Sequence, residues 1–400
     1  MLLTNSQIDK YADVLVWGLC LERPKFKRYD TVLVRMDSAA ALPLGEAVHR
    51  TLLDRRLNVI LRILSSPTAE KDFYTRTDSR QRRFIRPGER ELFEGLNGLV
   101  AIRAPMSLTH LKDVDPTRLG ETVLARKFLR DVLDAREDRG AFSWTLCSWP
   151  TEEPARNARL PLKTFAAQIA RACFLDDKDP VGRWKSIYRE ALELKKWLKS
   201  LRLDTVRLRS RSMDLEVRVG ERRKFQGVSG RNIPSFEIFT SPDWRGTRGT
   251  YFSNLPSFRN GNYVKGLRLE FKDGKAVKVS AQAGEAFSRK TLALDPGASA
   301  IGELSLTDVR FSRIDRFMAD TLFDENFGGA YGNCHLAMGN SYADTFDGDP
   351  RRLTKALKRS LGFNGSSIHW DIVNTEEKTV TARLRGGRTV TVYEKGRFKY

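Results

Sequence analysis

Leu267-Arg268-Leu269-Glu270-Phe271 alternates apolar and charged residues, which predicts a β-strand with one buried face. Lys272-Asp273-Gly274-Lys275 follows as a hairpin turn, and Ala276-Val277-Lys278-Val279-Ser280-Ala281 alternates again as the returning strand. Residues 379–384 and 389–393 repeat this pattern around a Gly-Gly pair near the end of the chain. We therefore predict that the second half of the chain is β-rich, with antiparallel strands.

The first half of the chain has a different pattern. Residues 31–36, 58–64 and 98–103 are short apolar runs rich in β-branched residues, typical of buried strands. Helical periodicity over residues 6–19 and 44–57 separates them. This alternation predicts an α/β domain with a mostly parallel sheet and helices on its faces. No glycine-rich phosphate loop follows these strands, so a nucleotide-binding site is not indicated.

The helix that begins at Pro180 is predicted to connect two domains. Asp179 is a favourable N-cap residue, and proline is favourable at the first helical position. A chain of 400 residues also exceeds the usual size of one hydrophobic core. We predict domains over residues 1–190 and 191–400.

The positive charge raises the question of a polyanionic partner. The net charge is +20, and basic clusters occur at residues 80–83, 207–211 and 222–224. Such clusters neutralise phosphates in nucleic-acid-binding proteins. Acidic residues are interleaved almost everywhere, however, and the sequence has no recognised nucleic-acid-binding module. Nucleic-acid binding therefore stays an alternative that is not favoured over a solvated basic surface.

The remaining composition predicts a cytoplasmic protein. The first residues lack the apolar run of a signal peptide, and no apolar stretch reaches the roughly 18 residues of a membrane span. The cysteines lack the CxxC spacing of a thiolate zinc site, and their scatter suits a reducing compartment. They are Cys20, Cys147, Cys173 and Cys334.

Candidate metal ligands concentrate near the C-terminus. The chain has 4 His, and two of them are His335 and His369. Asp371 follows His369 by two residues, so an extended segment directs both side chains to one side. Imidazole and carboxylate are common ligands of catalytic divalent metals. Structural histidines with satisfied hydrogen bonds are the alternative.

Further acids stand in apolar surroundings. Glu237 and Glu303 lie among Ile, Phe and Leu, where an unpaired ionised carboxylate is costly. Glu325 belongs to a similar segment. More carboxylates than imidazoles, without thiolates, fit two closely spaced divalent ions better than one structural zinc. The alternative for each acid is a salt bridge, for which the candidates are Arg231, Arg310 and Arg313.

The order of these motifs resembles one metallopeptidase family, the metallo-aminopeptidase family of aminopeptidase T and aminopeptidase S. The matching stretches extend from about residue 140 to the C-terminus. They are Arg-Asn-Ile-Pro before Glu237-Ile-Phe-Thr-Ser-Pro, Gly-Glu303-Leu-Ser-Leu, Thr-Leu-Phe-Asp-Glu325-Asn, His335-Leu-Ala-Met-Gly, Tyr342, and Ser-Ile-His369-Trp-Asp371. Ser235-Phe236 departs from the Asp-Gly usual in the family, which bears on substrate preference more than on metal binding.

The resemblance implies a role for each matching residue. The metal ligands would be Glu237, Glu303, Glu325, His335, His369 and Asp371. Glu303 would be shared between two divalent ions, which could be zinc, cobalt, manganese or magnesium. Glu303 is also the first choice for the general base, and Tyr342 would stabilise the reaction intermediate.

The implied function is the hydrolysis of N-terminal residues from short peptides by a metal-activated water. The resemblance also suggests a homodimer with an enclosed cavity. An iron(II) ring-cleaving dioxygenase on the same scaffold is an alternative, and a non-catalytic, basic nucleic-acid-binding protein is another. The presence of Glu237, Glu303, Glu325 and Tyr342 favours the two-metal peptidase over the dioxygenase.

Overall fold

The computed structural model describes residues 2–349 and 352–400, in two compact units. The first unit extends to Trp184 and also contains Ser229–Pro234. The second unit consists of Lys185–Val228 and Ser235–Tyr400. The domain boundary placed after residue 190 falls within the helix Pro180–Ser200, and it stays a prediction.

Helices are concentrated in the first unit. None of the helices among the described residues is long and apolar enough to cross a membrane. In chain order they are α1 (Asn5–Glu22), α2 (Leu42–Asp54), α3 (Pro67–Arg76), α4 (Ser79–Arg82), α5 (Glu89–Gly95), α6 (Pro116–Asp138), α7 (Glu152–Asn157), α8 (Leu162–Ala172), α9 (Pro180–Ser200), α10 (Glu285–Leu292), α11 (Thr321–Asp324) and α12 (Lys355–Ser360).

Short 3-10 helices occur at Ala39–Ala41 and Ala343–Thr345. The strands are β1 (Thr31–Met36), β2 (Asn58–Ile63), β3 (Gly98–Arg103), β4 (Ser143–Ser148), β5 (Leu203–Ser210), β6 (Asp214–Arg218), β7 (Asn232–Ile233), β8 (Glu237–Thr240), β9 (Asp243–Ser253), β10 (Ser257–Arg259), β11 (Asn262–Val264), β12 (Leu267–Lys272), β13 (Lys275–Ser280), β14 (Ile301–Thr307), β15 (Asn333–Gly339), β16 (His369–Asn374), β17 (Lys378–Leu384), β18 (Thr389–Glu394) and β19 (Arg397–Phe398).

The first unit contains a five-stranded parallel sheet with the order β2-β1-β3-β4-β7. Three of its strands, β2 at the edge followed by β1 and β3, are the apolar runs singled out in the sequence, and the predicted bounds of β1 and β3 are confirmed. The helix predicted over residues 44–57 is wrong at its end, because α2 ends at Asp54 and Asn58 starts the next strand. The prediction of an α/β fold with a parallel sheet is confirmed.

Besides the short antiparallel pair β10-β11, the second unit contains two antiparallel sheets among its described residues. The larger has eight strands in the order β13-β12-β9-β6-β5-β17-β18-β19, and both predicted hairpins belong to it. The turn between β12 and β13 has φ values of 50° at Asp273 and 81° at Gly274. Positive φ at both central residues defines the tight turn that matches strand twist, which explains the Asp-Gly pair.

The smaller sheet has four strands in the order β16-β15-β14-β8. One of its faces is apolar, with Leu304, Leu336 and Ile372 all buried. The hydroxyl of Tyr251, in β9 of the eight-stranded sheet, donates a hydrogen bond to the carbonyl oxygen of Ile372 in β16 at 2.6 Å. Tyr251 thereby links the eight-stranded and the four-stranded sheets of this unit.

Candidate metal centre

The four-stranded sheet presents most of the candidate ligands on one face. Residues that pair directly across neighbouring strands share a face, as do residues two apart along a strand. Glu303 of β14 and Asp371 of β16 both pair with Ala337 of β15, so the three form one row across the sheet. The adjacent rows bring His335 opposite Ser305 and His369 opposite Gly339.

Glu237 belongs to the same face. It is the first residue of β8, and it pairs with Thr307, which stands two residues from Ser305 along β14. The sheet therefore brings together Glu237, Glu303, His335, His369 and Asp371, although these residues are distant along the chain. We call this surface the ligand face.

Small side chains separate the candidate ligands. Ser305, Thr307, Ala337 and Gly339 occupy the intervening positions of the ligand face. Ser305, Thr307 and Ala337 are fully buried, with 0% of their surface exposed. Short side chains at these positions leave room above the sheet for the long side chains of the glutamates.

A first group of ligand atoms surrounds His335. Its Nε2 atom lies 3.0 Å from Oε1 of Glu303 and 3.2 Å from Oε2 of Glu237. The ring is buried, and its Nδ1 atom has no hydrogen-bond partner among the described residues. The three side chains offer ligand atoms that all lie within 4.8 Å of one another.

A second group shares Glu303 with the first. Nε2 of His369 lies 3.8 Å from Oε2 of Glu303 and 3.4 Å from Oδ1 of Asp371. The ligand atoms of this group also lie within 4.8 Å of one another. The expected alignment of His369 and Asp371 along one strand is thus observed, and each oxygen of Glu303 faces a different imidazole.

Glu325 approaches the cluster from outside the sheet. It caps the C-terminal end of α11 and is buried, but it belongs to neither group of three. Burial and the negative charges of Glu237 and Asp371 hold the pKa of its carboxyl well above the usual value. Its carboxyl is therefore close enough to the other candidates for their charges to favour its protonated form.

Asn326 links Glu325 to the sheet, a role that the sequence reasoning missed. Its side-chain oxygen accepts hydrogen bonds from the backbone amides of Phe236 and Glu237, the latter at 3.1 Å. Its amide group donates to the carbonyl oxygen of Leu322 in α11 at 2.9 Å. The one sequence signal for this role was the position of Asn326, an amide residue directly after the candidate ligand Glu325 in an apolar segment.

Tyr342 lies beside the second group. Its backbone amide donates to the hydroxyl of Ser241 at 2.8 Å, and its ring centroid lies 4.7 Å from that of His369. Desolvation and the nearby charges of Glu303 and Asp371 raise the pKa of its hydroxyl well above the usual value, although part of the ring is exposed. The hydroxyl therefore stays protonated at neutral pH.

The protonation equilibria of the cluster show a charge imbalance. Burial raises the pKa of Glu303 to about 7, against the opposing effect of its hydrogen bond with His335. Burial alone would lower the pKa of His369, but the charge of Asp371 outweighs it and raises the value to about 9. Burial likewise opposes ionisation of Asp371, yet His369 lowers its pKa to about 2.

This donor set fits divalent cations. Crowded carboxylates and imidazoles, all of them oxygen or nitrogen donors, hold protons at neutral pH that a cation would displace. The salt-bridge alternative is not supported for two of the arginines considered, because Arg231 pairs with Glu137 at 2.7 Å and Arg310 with Asp308. The phenyl ring of Phe236, next to Glu237, is fully buried.

Comparison with known proteins agrees with this geometry. The sequence profile of the thermophilic metalloprotease (M29) family matches residues 4–398. The chain belongs to this family. The resemblance inferred from the ordered motifs is confirmed, and membership makes the chain a metal-dependent peptidase.

Similar proteins include curated aminopeptidases. Aminopeptidase T of Thermus aquaticus is 29% identical over 307 residues, which cover 72% of this chain and 73% of that protein. Aminopeptidase 2 of Geobacillus stearothermophilus is 27% identical over 330 residues, or 78% of each chain. These comparisons support neither the dioxygenase nor the nucleic-acid-binding alternative.

The fold of this M29 family member also matches a solved structure. Wild-type AmpT from Thermus thermophilus superposes with a TM-score of 0.76 and 20% sequence identity, covering 98% of this chain and 99% of that one. The shared fold spans both units, including the stretch before residue 140 where the sequence motifs are weak.

Proposed function

We propose that the protein is an aminopeptidase that removes N-terminal residues from short peptides with a water activated by two divalent ions. One ion would be held by Glu237, Glu303 and His335, and the other by Glu303, His369 and Asp371. The observation that carries the proposal is the position of Glu303, which contributes one oxygen to each group of ligand atoms. Glu325 would complete the first group.

When bound, such ions polarise the scissile carbonyl and lower the pKa of a water toward neutrality. The carboxylate of Glu303 would accept the proton of this water. The surplus of acidic groups around it would also bind the free amino group of the substrate, which restricts cleavage to the N-terminal residue.

The hydroxyl of Tyr342 would donate a hydrogen bond to the negative charge that develops on the carbonyl oxygen. Its raised pKa supports this role, because a donor must keep its proton throughout the pH range of the reaction. The hydrogen bond from its backbone amide to Ser241 fixes the segment that carries the ring. Its contact with the ring of His369 keeps the hydroxyl near the second group.

Some features of the proposal come from the family resemblance alone. They are a homodimer and an enclosed cavity that favours short peptides and tolerates varied side chains, whereas the cytoplasmic location is inferred from the composition. Zinc, cobalt, manganese and magnesium all accept oxygen and imidazole ligands, so each is a candidate for the ions.

The test is the release of free amino acid from a panel of Leu- and Arg-peptides, before and after chelation and after metal is added back. We expect release in the untreated enzyme, its loss on chelation and its recovery with metal. Glu303→Gln should abolish release, whereas Glu270→Gln, at an exposed ion pair with Lys278, should not. Release that is insensitive to chelation would contradict the proposal.

A further inference from the structure

One large apolar side chain stands on the ligand face without being fully buried. Phe239 of β8 pairs with Ser305 of β14, which in turn pairs with His335 of β15. Direct pairing places the three residues in one row on the same face of the sheet. The ring of Phe239 is therefore a neighbour of the first group of ligand atoms, and it keeps part of its surface exposed.

Hydrogen bonds of its backbone and a contact of its ring both fix the position of Phe239. The backbone amide of Phe239 donates to the carbonyl oxygen of Gln226 at 3.0 Å, and its carbonyl oxygen accepts from the amide of Gln226 at 2.8 Å. On the ligand face, the ring meets that of Tyr342 edge to face, with centroids 5.9 Å apart. Tyr342 itself contacts His369, so the aromatic rings form a continuous wall along the cluster.

Such a ring makes no chemical contribution to a site of carboxylates and imidazoles. A partly exposed phenyl group leaves apolar surface in water, which becomes favourable when an apolar ligand covers it. Phe236, the aromatic residue singled out in the sequence, cannot have this role because its ring is fully buried. The ring of Phe239 thus offers apolar surface beside the first group of ligand atoms, while the partly exposed ring of Tyr342 lies beside the second.

We infer that Phe239 is a specificity-determining residue, whose ring contacts the side chain of the N-terminal residue and favours apolar and aromatic ones. This inference rests on the proposed function, which brings the N-terminal residue of a peptide to the cluster. The ring has no charge or hydrogen-bonding group, so it gains contact with leucine or phenylalanine and none with glycine. It makes Leu- and Phe-peptides better substrates than Gly- or Asp-peptides.

The test compares kcat/KM for Leu-, Phe-, Gly- and Asp-peptides in the metal-loaded enzyme and in Phe239→Ala. We expect the variant to lose about ten-fold in the preference for Leu- and Phe-peptides over Gly-peptides, in the range of one lost apolar contact. Metal content should not change. Phe239→Leu should restore the preference for Leu-peptides more than that for Phe-peptides.

Phe252→Ala is the matched control. Phe252 is also a half-buried phenylalanine in a β-strand, but its ring lies 5.1 Å from the guanidinium of Arg268 in the eight-stranded sheet. Its removal should leave the order of substrates unchanged. An equal loss for all peptides in Phe239→Ala would overturn the inference, because the ring would then only support Tyr342. An unchanged preference would overturn it as well.

A binding measurement separates this inference from the proposed function. Calorimetry of the metal-loaded protein with free L-leucine, L-phenylalanine and glycine requires no turnover. Tighter binding of leucine and phenylalanine than of glycine, reduced in Phe239→Ala, would support the role of Phe239 even in an inactive protein. Equal binding of all three amino acids by the unmodified protein would contradict it.

Discussion

The imidazole of His335 lies 3.0 Å from a carboxylate oxygen of Glu303, and both side chains are buried. In the metal-free protein, burial opposes the charge of His335, but Glu237 and Glu303 raise its pKa well above the usual value. The two residues therefore share a proton where a cation would bind. The site must release protons when it takes up metal.

Metal affinity should consequently increase with pH. His369 has a pKa of about 9 and Glu303 one of about 7, so the metal-free cluster holds protons at neutral pH. Lowering the pH refills these sites with protons and weakens cation binding, most steeply below pH 7, where Glu303 is also protonated. Calorimetric titration with Zn²⁺ in buffers of different ionisation enthalpy measures the protons released. Binding without proton release would contradict this description of the site.

Tyr342→Phe should lose turnover and keep metal. The variant retains the ring that contacts His369 but removes the hydroxyl that would stabilise the developing negative charge. Loss of one such donor typically lowers kcat by a factor of about 100 to 1,000. Steady-state kinetics and elemental analysis of the same preparation check the prediction. A variant that loses metal in proportion to activity would show that Tyr342 acts through the ligands instead.

Ala337→Leu should prevent metal binding without unfolding the chain. Ala337 lies directly between Glu303 and Asp371 in one row, and a larger side chain would occupy the space above the sheet. Ala337→Gly is the control, which should bind metal normally and lose about 0.5–1 kcal/mol of stability. Metal content, with circular dichroism to verify folding, tests the pair. Normal metal binding by Ala337→Leu would mean that the ions lie elsewhere.

Asn326→Ala should weaken both metal binding and stability. The change leaves the buried backbone amides of Phe236 and Glu237 without their acceptor, at a cost of about 1–3 kcal/mol per unsatisfied group. It also frees α11, which carries Glu325, from the sheet. Asn254→Ala removes a side chain that bonds with Thr375 instead, so it should affect stability alone. Thermal unfolding of both variants measures the loss of stability, and metal titration shows whether Asn326→Ala alone also loses metal affinity.

Strands with one exposed face could be predicted from the sequence with good accuracy. In β12, the buried Leu267, Leu269 and Phe271 alternate with more exposed residues, and this difference produces the period of two. The apolar runs of β1 and β3 were equally clear, because they contain β-branched residues and turn signals lie at their ends. Each of these strands is specified by its own local pattern.

The four-stranded sheet that carries the site was much harder to predict from the sequence. Every residue of β14 and β15 is buried, so the alternation of Glu303-Leu304-Ser305-Leu306-Thr307 in β14 separates two buried faces and does not mark an exposed one. Only the unusual acids and imidazoles within them indicated a site. The register between strands depends on residues far apart in the chain, and for this reason the sequence could not reveal that Phe239 shares a face with His335.

The shared role of Glu303 is tested most directly by anomalous diffraction from crystals grown with Mn²⁺ or Zn²⁺. We predict two metal peaks about 3.5–4 Å apart, the usual spacing of two-metal sites, with one oxygen of Glu303 directed at each. His335 should contact one ion and His369 the other. A single peak, or two peaks of which only one lies against Glu303, would contradict the account.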